Sequence, residues 1–277
     1  MTLINEFENR LFVGDAVKIL KTFPDESVDL VIADPPYNLG KDYGKITDLK
    51  EWNEYERFNI EWLNEAVRVL KNTGSIYVFM GFRFISKLFI ILEGNFRLNF
   101  NGWIVWHYTQ GMGRKKGFSP RHDDILYFTK SDKFVFNLDD VRIPQKYFRK
   151  RNNMAGANPG DVWKFSHVHY CSRERKDHPT QKPEGLIERI VRASSNVGDI
   201  VLDPFVGSGT TCKVASVLKR IYIGIDINAE YIKMTDQRVK EPFRAFDSID
   251  ERVKRVPRDL PNGATEYNEE TLFGSKE

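Results

Sequence analysis

Asp34-Pro35-Pro36-Tyr37 follows directly on the apolar run Val28 to Ala33. Proline has a fixed φ and no backbone N–H, so two in succession make a stiff turn that cannot continue a central strand. The turn presents a carboxylate, carbonyls without ladder partners and an aromatic face in a set order. These groups suit a planar base bearing an exocyclic NH2. The acceptors take the amino hydrogens, and the ring stacks on Tyr37. Hydrogen bonds to those protons concentrate density on nitrogen, which favours attack by it. A plain structural Pro-Pro turn is the alternative.

A second group of chemistry-bearing residues is Asp203-Pro204-Phe205-Val206-Gly207-Ser208-Gly209-Thr210-Thr211. A glycine-rich turn here leaves a buried strand and opens a helix, whose first N–H groups lack partners. It fails the P-loop pattern, which needs a lysine, and Cys212 stands where the dinucleotide fingerprint needs its third glycine. The next strand ends at Asp226, placed to accept hydrogen bonds from a ribose diol. The pattern reads as a nucleoside site without a pyrophosphate cradle. The alternative is a tight turn with a capping aspartate.

The elements that must carry these turns alternate. Strands are expected at Arg10–Val13, Val28–Ala33, Ser75–Met80, within Phe96–Tyr108, and at Asp124–Thr129, Asp199–Leu202 and Arg220–Ile225. Helices are expected after Gly14-Asp15, over Glu51–Lys71 with Asn72-Thr73-Gly74 as its stop, over Arg83–Leu92 and Pro183–Ser194, after Gly207, and over Ala229–Val239. Strands alternating with helices predict an α/β fold with a doubly wound, mostly parallel sheet. Ligands of such sheets bind beyond the carboxyl ends of strands, where both turns lie.

The alternation lapses between Phe134 and Asp177. Between Val141 and Lys176, Arg142, Lys146, Arg149, Lys150, Arg151, Lys164, Arg173, Arg175 and Lys176 face only Asp161 and Glu174, with aromatics interleaved. That is the composition of a nucleic-acid footprint, or of a solvated loop. Gly111 to Gly117, with Arg114, Lys115 and Lys116, is a second basic loop. The whole chain is balanced, at 42 Lys+Arg against 39 Asp+Glu, so net charge names no partner. Two cysteines, Cys171 and Cys212, are too few for a disulfide framework, and His167 and His169 near Cys171 lack a second cysteine pair for zinc, so no metal is expected. With no apolar leader and no apolar run long enough to cross a membrane, a cytoplasmic protein without a membrane partner is expected.

Together the motifs are more specific than either alone. Asp34–Tyr37 early, DPFVGSGTT late and His178-Pro-Thr-Gln-Lys-Pro183 just before it resemble the β group of amino-DNA methyltransferases, of the type II restriction-modification kind. The resemblance covers residues 10 to 240. It implies a Rossmann-like S-adenosylmethionine-dependent fold, with residues 1–240 as catalytic domain, 134–177 as an inserted target-recognition region and 241–277 as a tail. It implies Asp34, Pro35, Pro36 and Tyr37 as the catalytic tetrad. Asp203, Phe205, Gly207, Ser208, Gly209, Thr210 and Thr211 would surround the methionine part of the cofactor, Asp226 its ribose, Asp15 its adenine, and Lys182 its carboxylate end. The target base would swing out of double-stranded DNA, and its nitrogen would attack the sulfonium methyl in line. Arg114, Lys115, Lys116, Arg149, Lys150 and Arg151 would meet DNA. Asp at the first tetrad position goes mostly with adenine N6, and Ser with cytosine N4; both stay open. An RNA methyltransferase would more often carry Asn first, and a silent DNA-binding protein would have no need of the intact motifs. Relatives in the group are often dimers and often act beside a separate restriction endonuclease, which no feature of this sequence demands.

Overall fold

The computed structural model describes residues 7–40, 49–109, 111, 113–143 and 156–243. Eight strands form one sheet: β1 (Arg10–Val13), β2 (Val28–Ala33), β3 (Leu70–Met80), β4 (Asn99–His107), β5 (His122–Thr129), β6 (Val162–Lys164), β7 (Ile200–Asp203) and β8 (Ile221–Asp226). Their order across the sheet is β1-β8-β7-β2-β3-β5-β4-β6. β1 through β3 in that order pair parallel. β5 is antiparallel to both β3 and β4, and β6 is parallel to β4. The α-helices among the described residues are α1 (Ala16–Leu20), α2 (Trp52–Val69), α3 (Ile85–Asn95), α4 (Glu184–Ser194), α5 (Thr210–Val217) and α6 (Ala229–Lys240). The expected mostly parallel α/β sheet is thus observed, with an antiparallel hairpin of β4 and β5 on one flank.

Chemistry follows from the strand order. β2 is buried throughout except at Asp29, as a parallel strand covered on both faces must be. Asp29 is tolerated because its carboxylate accepts from Lys71 Nζ at 2.8 Å and from Ile200 N at 2.9 Å. β2 and β7 lie side by side, Leu30 opposite Val201 and Val31 opposite Leu202. The Asp34 turn and the Asp203 turn, remote in sequence, therefore leave the same edge as neighbours. β8 delivers Asp226 on the other side of β7. β1 delivers Gly14-Asp15 next to it, and Gly14 N donates to Asp226 O at 2.8 Å.

α2 is amphipathic, with Tyr55, Trp62, Leu63, Ala66 and Val69 buried at helical spacing. It stops at Val69, and β3 begins at the next residue, so Asn72-Thr73-Gly74 lies in a strand and is not the helix stop. Gly74 is there for space: a Cβ would stand 2.6 Å from Leu70 Cδ1 and 2.9 Å from Asp29 O. Arg68, in the last turn of α2, donates to Leu20 O and Phe23 O at 2.7 and 2.9 Å, closing the end of α1.

The segment expected to be irregular holds a 3-10 turn (Leu138–Asp140), a bridge between Ile143 and Ala157, and the three-residue strand β6. β6 was not expected, because three residues between Gly160 and Phe165 show no period. It forms because Trp163 is buried and its indole N–H reaches Gly160 O at 2.8 Å, while Trp106 Nε1 holds Phe165 O at 2.8 Å. Arg149, Lys150 and Arg151 lie outside the described residues, as does the tail beyond Phe243. Among the described residues no helix is long and apolar enough to cross a membrane.

Candidate active site

A cavity of about 620 Å³ opens at the edge where β1, β8, β7 and β2 end. That volume lies within the range that takes a small-molecule ligand, about 300–1,000 Å³. Asp15, Asp34 to Tyr37, Lys182, Asp203, Phe205, Gly207, Ser208, Thr210, Thr211 and Asp226 all line it. Two distant stretches of sequence therefore build one site. Gly209 is the exception. It sits at φ +79° as the cap of α5, and a Cβ on it would lie 2.6 Å from Thr235 Oγ1. Its smallness serves the packing of α5 on α6.

Gly207 does face the cavity, at φ +48°, and a Cβ there would stand 2.8 Å from His178 Nε2. Gly207 N donates to Asp226 Oδ2 at 2.9 Å, and Asn228 N donates to Oδ1 at 2.8 Å. A carboxylate has about four acceptor positions, so Asp226 keeps capacity toward the cavity. Burial pushes its pKa up. Asp203 is more deeply buried, and burial pushes its pKa up to about 7 against the pull of Thr211 and the Phe205 N–H. Asp15 is exposed at the rim and caps α1, accepting from Lys18 N at 2.9 Å.

At the Asp34–Tyr37 turn, Lys182 Nζ lies 2.5 Å from Asp34 Oδ2. Oδ1 of the same carboxylate is buried without a hydrogen-bond partner among the described residues. The Tyr37 ring packs against Gly81, where a Cβ would come within 3.2 Å. Tyr55 OH donates to Pro36 O at 2.7 Å, which fixes the turn. Asn38 adopts φ +58° and exchanges two hydrogen bonds with the Lys50 backbone, at 2.6 and 3.0 Å. Phe205 meets Trp62 edge-on at 5.1 Å and Phe58 at 6.0 Å, which makes one wall aromatic.

Sequence reasoning missed several supporting residues. Arg238 is 1% exposed; it donates to Ser208 O at 2.9 Å and Thr210 Oγ1 at 3.0 Å, and pairs with Glu184 at 2.6 Å. His178 was quoted only as part of its motif. It is buried, and burial pushes its pKa down to about 4, so the imidazole is neutral at neutral pH. Its Nδ1 accepts from Thr180 N at 3.3 Å, and its ring meets Tyr231 at 4.7 Å. Tyr55, Asn38 and Gly81 carried no periodic signal that separates them from core or loop residues. Arg114, Lys115 and Lys116 are exposed, away from the cavity wall, with Arg114 5.9 Å over the ring of Phe82. His167 packs on Tyr108 at 3.9 Å, and Cys171 is exposed.

Residues 28–237 match the N6/N4 DNA methylase family. The chain belongs to this family and is a DNA methyltransferase. It is similar to the type II methyltransferase M.HpaI of Haemophilus parainfluenzae, 59% identical over 254 residues, which cover 91% of this chain and 81% of that relative. It is also similar to the DNA adenine methyltransferase YhdJ of Escherichia coli (strain K12), 42% identical over 243 residues and covering 82% and 81% of the two chains. Among solved structures, the M1.HpyAVI–SAM complex superposes with a TM-score of 0.62 at 26% identity, over 84% of this chain and 99% of that one. The cytosine-N4-specific PvuII methyltransferase superposes at 0.70 with 20% identity, over 86% and 88%, and so shares the fold.

Proposed function

We propose that this enzyme methylates the exocyclic N6 of adenine in double-stranded DNA, using S-adenosylmethionine, as the modification partner of a restriction system. The observation that carries the reading is the half-used carboxylate of Asp34. One oxygen is held by Lys182, and the other is buried without a partner at the end of β2. A buried acceptor left open costs about 1–3 kcal/mol, a cost recovered when a donor arrives. An amino group supplies two such donors, one for Asp34 Oδ1 and one for Pro35 O. The Tyr37 ring offers the stacking face.

The residues present fit the cofactor. The Gly207 backbone leaves no room for a side chain against His178, which keeps the loop open toward the cavity. Asp226 has acceptor positions for a ribose diol, and the aromatic wall of Phe205, Trp62 and Phe58 offers apolar cover. Asp34 and Asp226 put carboxylates around a low-dielectric space, which suits a sulfonium cation. When bound, S-adenosylmethionine supplies an activated methyl group. The chain's own part is to hold the amino nitrogen in line with it and to exclude water. Positioning of two bound reactants is the largest effect available here, worth about 7–11 kcal/mol in favourable cases.

Adenine is favoured by Asp at the first tetrad position and by the likeness to an adenine methyltransferase. The exposed loop of Arg114, Lys115 and Lys116 is assigned to phosphates, and the segment 134–177 to target recognition. The test is methyl transfer from labelled S-adenosylmethionine to unmethylated genomic DNA, followed by digestion to nucleosides. Label in N6-methyladenine is expected. Label in N4-methylcytosine would overturn the choice of base and keep the mechanism. Asp34→Ala is expected to lower transfer by at least about 100-fold while cofactor binding persists.

A further inference from the structure

We propose that Lys182 is a positioning residue for Asp34, and not a ligand of the cofactor's carboxylate end. It fastens Oδ2 and so presents Oδ1 to the incoming amino group. This rests on the reading of Asp34 as the amino-group acceptor.

The lysine side chain is 8% exposed. Its ammonium lies 5.1 Å from the Tyr37 ring centroid and 5.5 Å from that of Phe79. A strongly hydrated cation placed among aromatic rings is costly unless a good partner stands beside it. That partner is Asp34 at 2.5 Å; the nearest other acceptor, Thr180 O, is at 3.5 Å. Asp34 is therefore not free to rotate: with Oδ2 fixed on Nζ, Oδ1 has one direction left. Lys182 is fixed in turn. Its carbonyl accepts from Thr210 Oγ1 at 3.0 Å, and Thr210 is the residue Arg238 also holds. The preceding Gln181 is clamped by Lys176 N at 2.7 Å and Glu174 O at 2.7 Å. One lysine thus joins the glycine loop to the catalytic turn. Its ammonium also lies beside the Tyr37 ring, which places that ring next to Asp34. A lysine that swung away from Asp34 to a carboxylate on the cofactor would strand a partly buried charge on Asp34.

The test is the full-length Lys182→Met variant. Methionine is unbranched, only one atom shorter, and suits the aromatic surroundings. Its kcat at saturating cofactor and DNA is expected to fall about 10- to 100-fold, the cost of a misplaced reacting group. Its S-adenosylmethionine Kd, read by calorimetry without DNA, is expected to stay within about twofold of wild type. Lys182→Arg, which keeps the charge, is expected to recover part of kcat. A methionine variant with wild-type kcat overturns the proposal. So does a loss confined to cofactor affinity that saturation erases, because the lysine then serves the cofactor. If the methionine variant does not fold, Lys182→Gln is read by the same split. Normal methyl transfer by Asp34→Ala would instead bring down the reading of Asp34 itself, whatever Lys182 does.

Discussion

Gly209 lies against Thr235 so closely that a single added carbon would sit 2.6 Å from the threonine hydroxyl and 2.7 Å from its methyl group. Two costs stand on one atom here: a left-handed backbone and a clash with α6. The left-handed conformation alone costs an L-residue about 1–2 kcal/mol. Gly209→Ala is expected to lower the urea midpoint by more than that figure explains. Gly209→Ala with Thr235→Ala is expected to recover only part of the steric cost, because Thr235 Cβ still stands 2.9 Å from the added carbon, and to keep the backbone part. Equal midpoints for the single and double variants would mean that Thr235 yields freely.

Tyr55→Phe removes the donor that holds Pro36 O and leaves that carbonyl short of a partner, at about 1–3 kcal/mol. The cost falls on the turn, so kcat is expected to drop about tenfold, equivalent to about 1.4 kcal/mol. Cofactor affinity is expected to hold. Steady-state rates at saturating substrates check this, and an unchanged kcat would show that the prolines alone fix the turn.

The buried His178 and Asp203 pull the pH dependence of stability in opposite directions. Burial lowers the imidazole from 6.5 to about 4. The unfolded chain therefore binds the proton first, and this contribution is lost as pH falls from about 6.5 toward 4, at roughly 3 kcal/mol in full. Burial raises Asp203 from 3.8 to about 7. The folded chain holds that proton, so its contribution is lost as pH rises over about 4 to 7. In wild type the two slopes largely cancel between pH 4 and 6.5. His178→Gln is expected to be more stable at pH 5 than at pH 7, and Asp203→Asn less stable at pH 5 than at pH 7. Urea midpoints at the two pH values decide it.

Replacing Arg114, Lys115 and Lys116 together by alanine is expected to weaken DNA binding across sequences. Each phosphate contact contributes about 0.9 to the slope of log K against log salt. A loss of about 2 to 3 in that slope is the expected signature, with cofactor affinity intact. An unchanged slope would move the phosphate contacts elsewhere.

The turns themselves were legible in the sequence because each follows an apolar run that only a buried parallel strand explains. Val28–Ala33 and the run within Asp199–Leu202 are of this kind. What the sequence did not reveal was adjacency. Nothing local tells Val31 that its neighbour is Leu202, and the shared cavity depends on that pairing. Buried polar groups were equally hidden. Arg238 stands in the last turn of α6, where an exposed cation is the ordinary expectation. It is buried because Glu184, distant in sequence, is there to receive it. Lys182 was legible as a site residue but not by its partner, since ion pairs across 148 residues leave no spacing to read. Gly209 was read with the cofactor loop because a glycine needed for a ligand and a glycine needed for a neighbouring helix look alike in sequence.

The placing of β7 between β8 and β2 also bears on how the enzyme comes into being. Asp29 and Ile200 bond across 171 residues of chain. While the ribosome is still making that interval, one side of β2 is an open apolar edge with unmatched backbone groups, the kind of edge that recruits stray strands. At about 5–20 residues per second the exposure lasts on the order of 10–30 seconds. A message cut short before β7 yields a protein that has its proline turn but no chamber for it to serve.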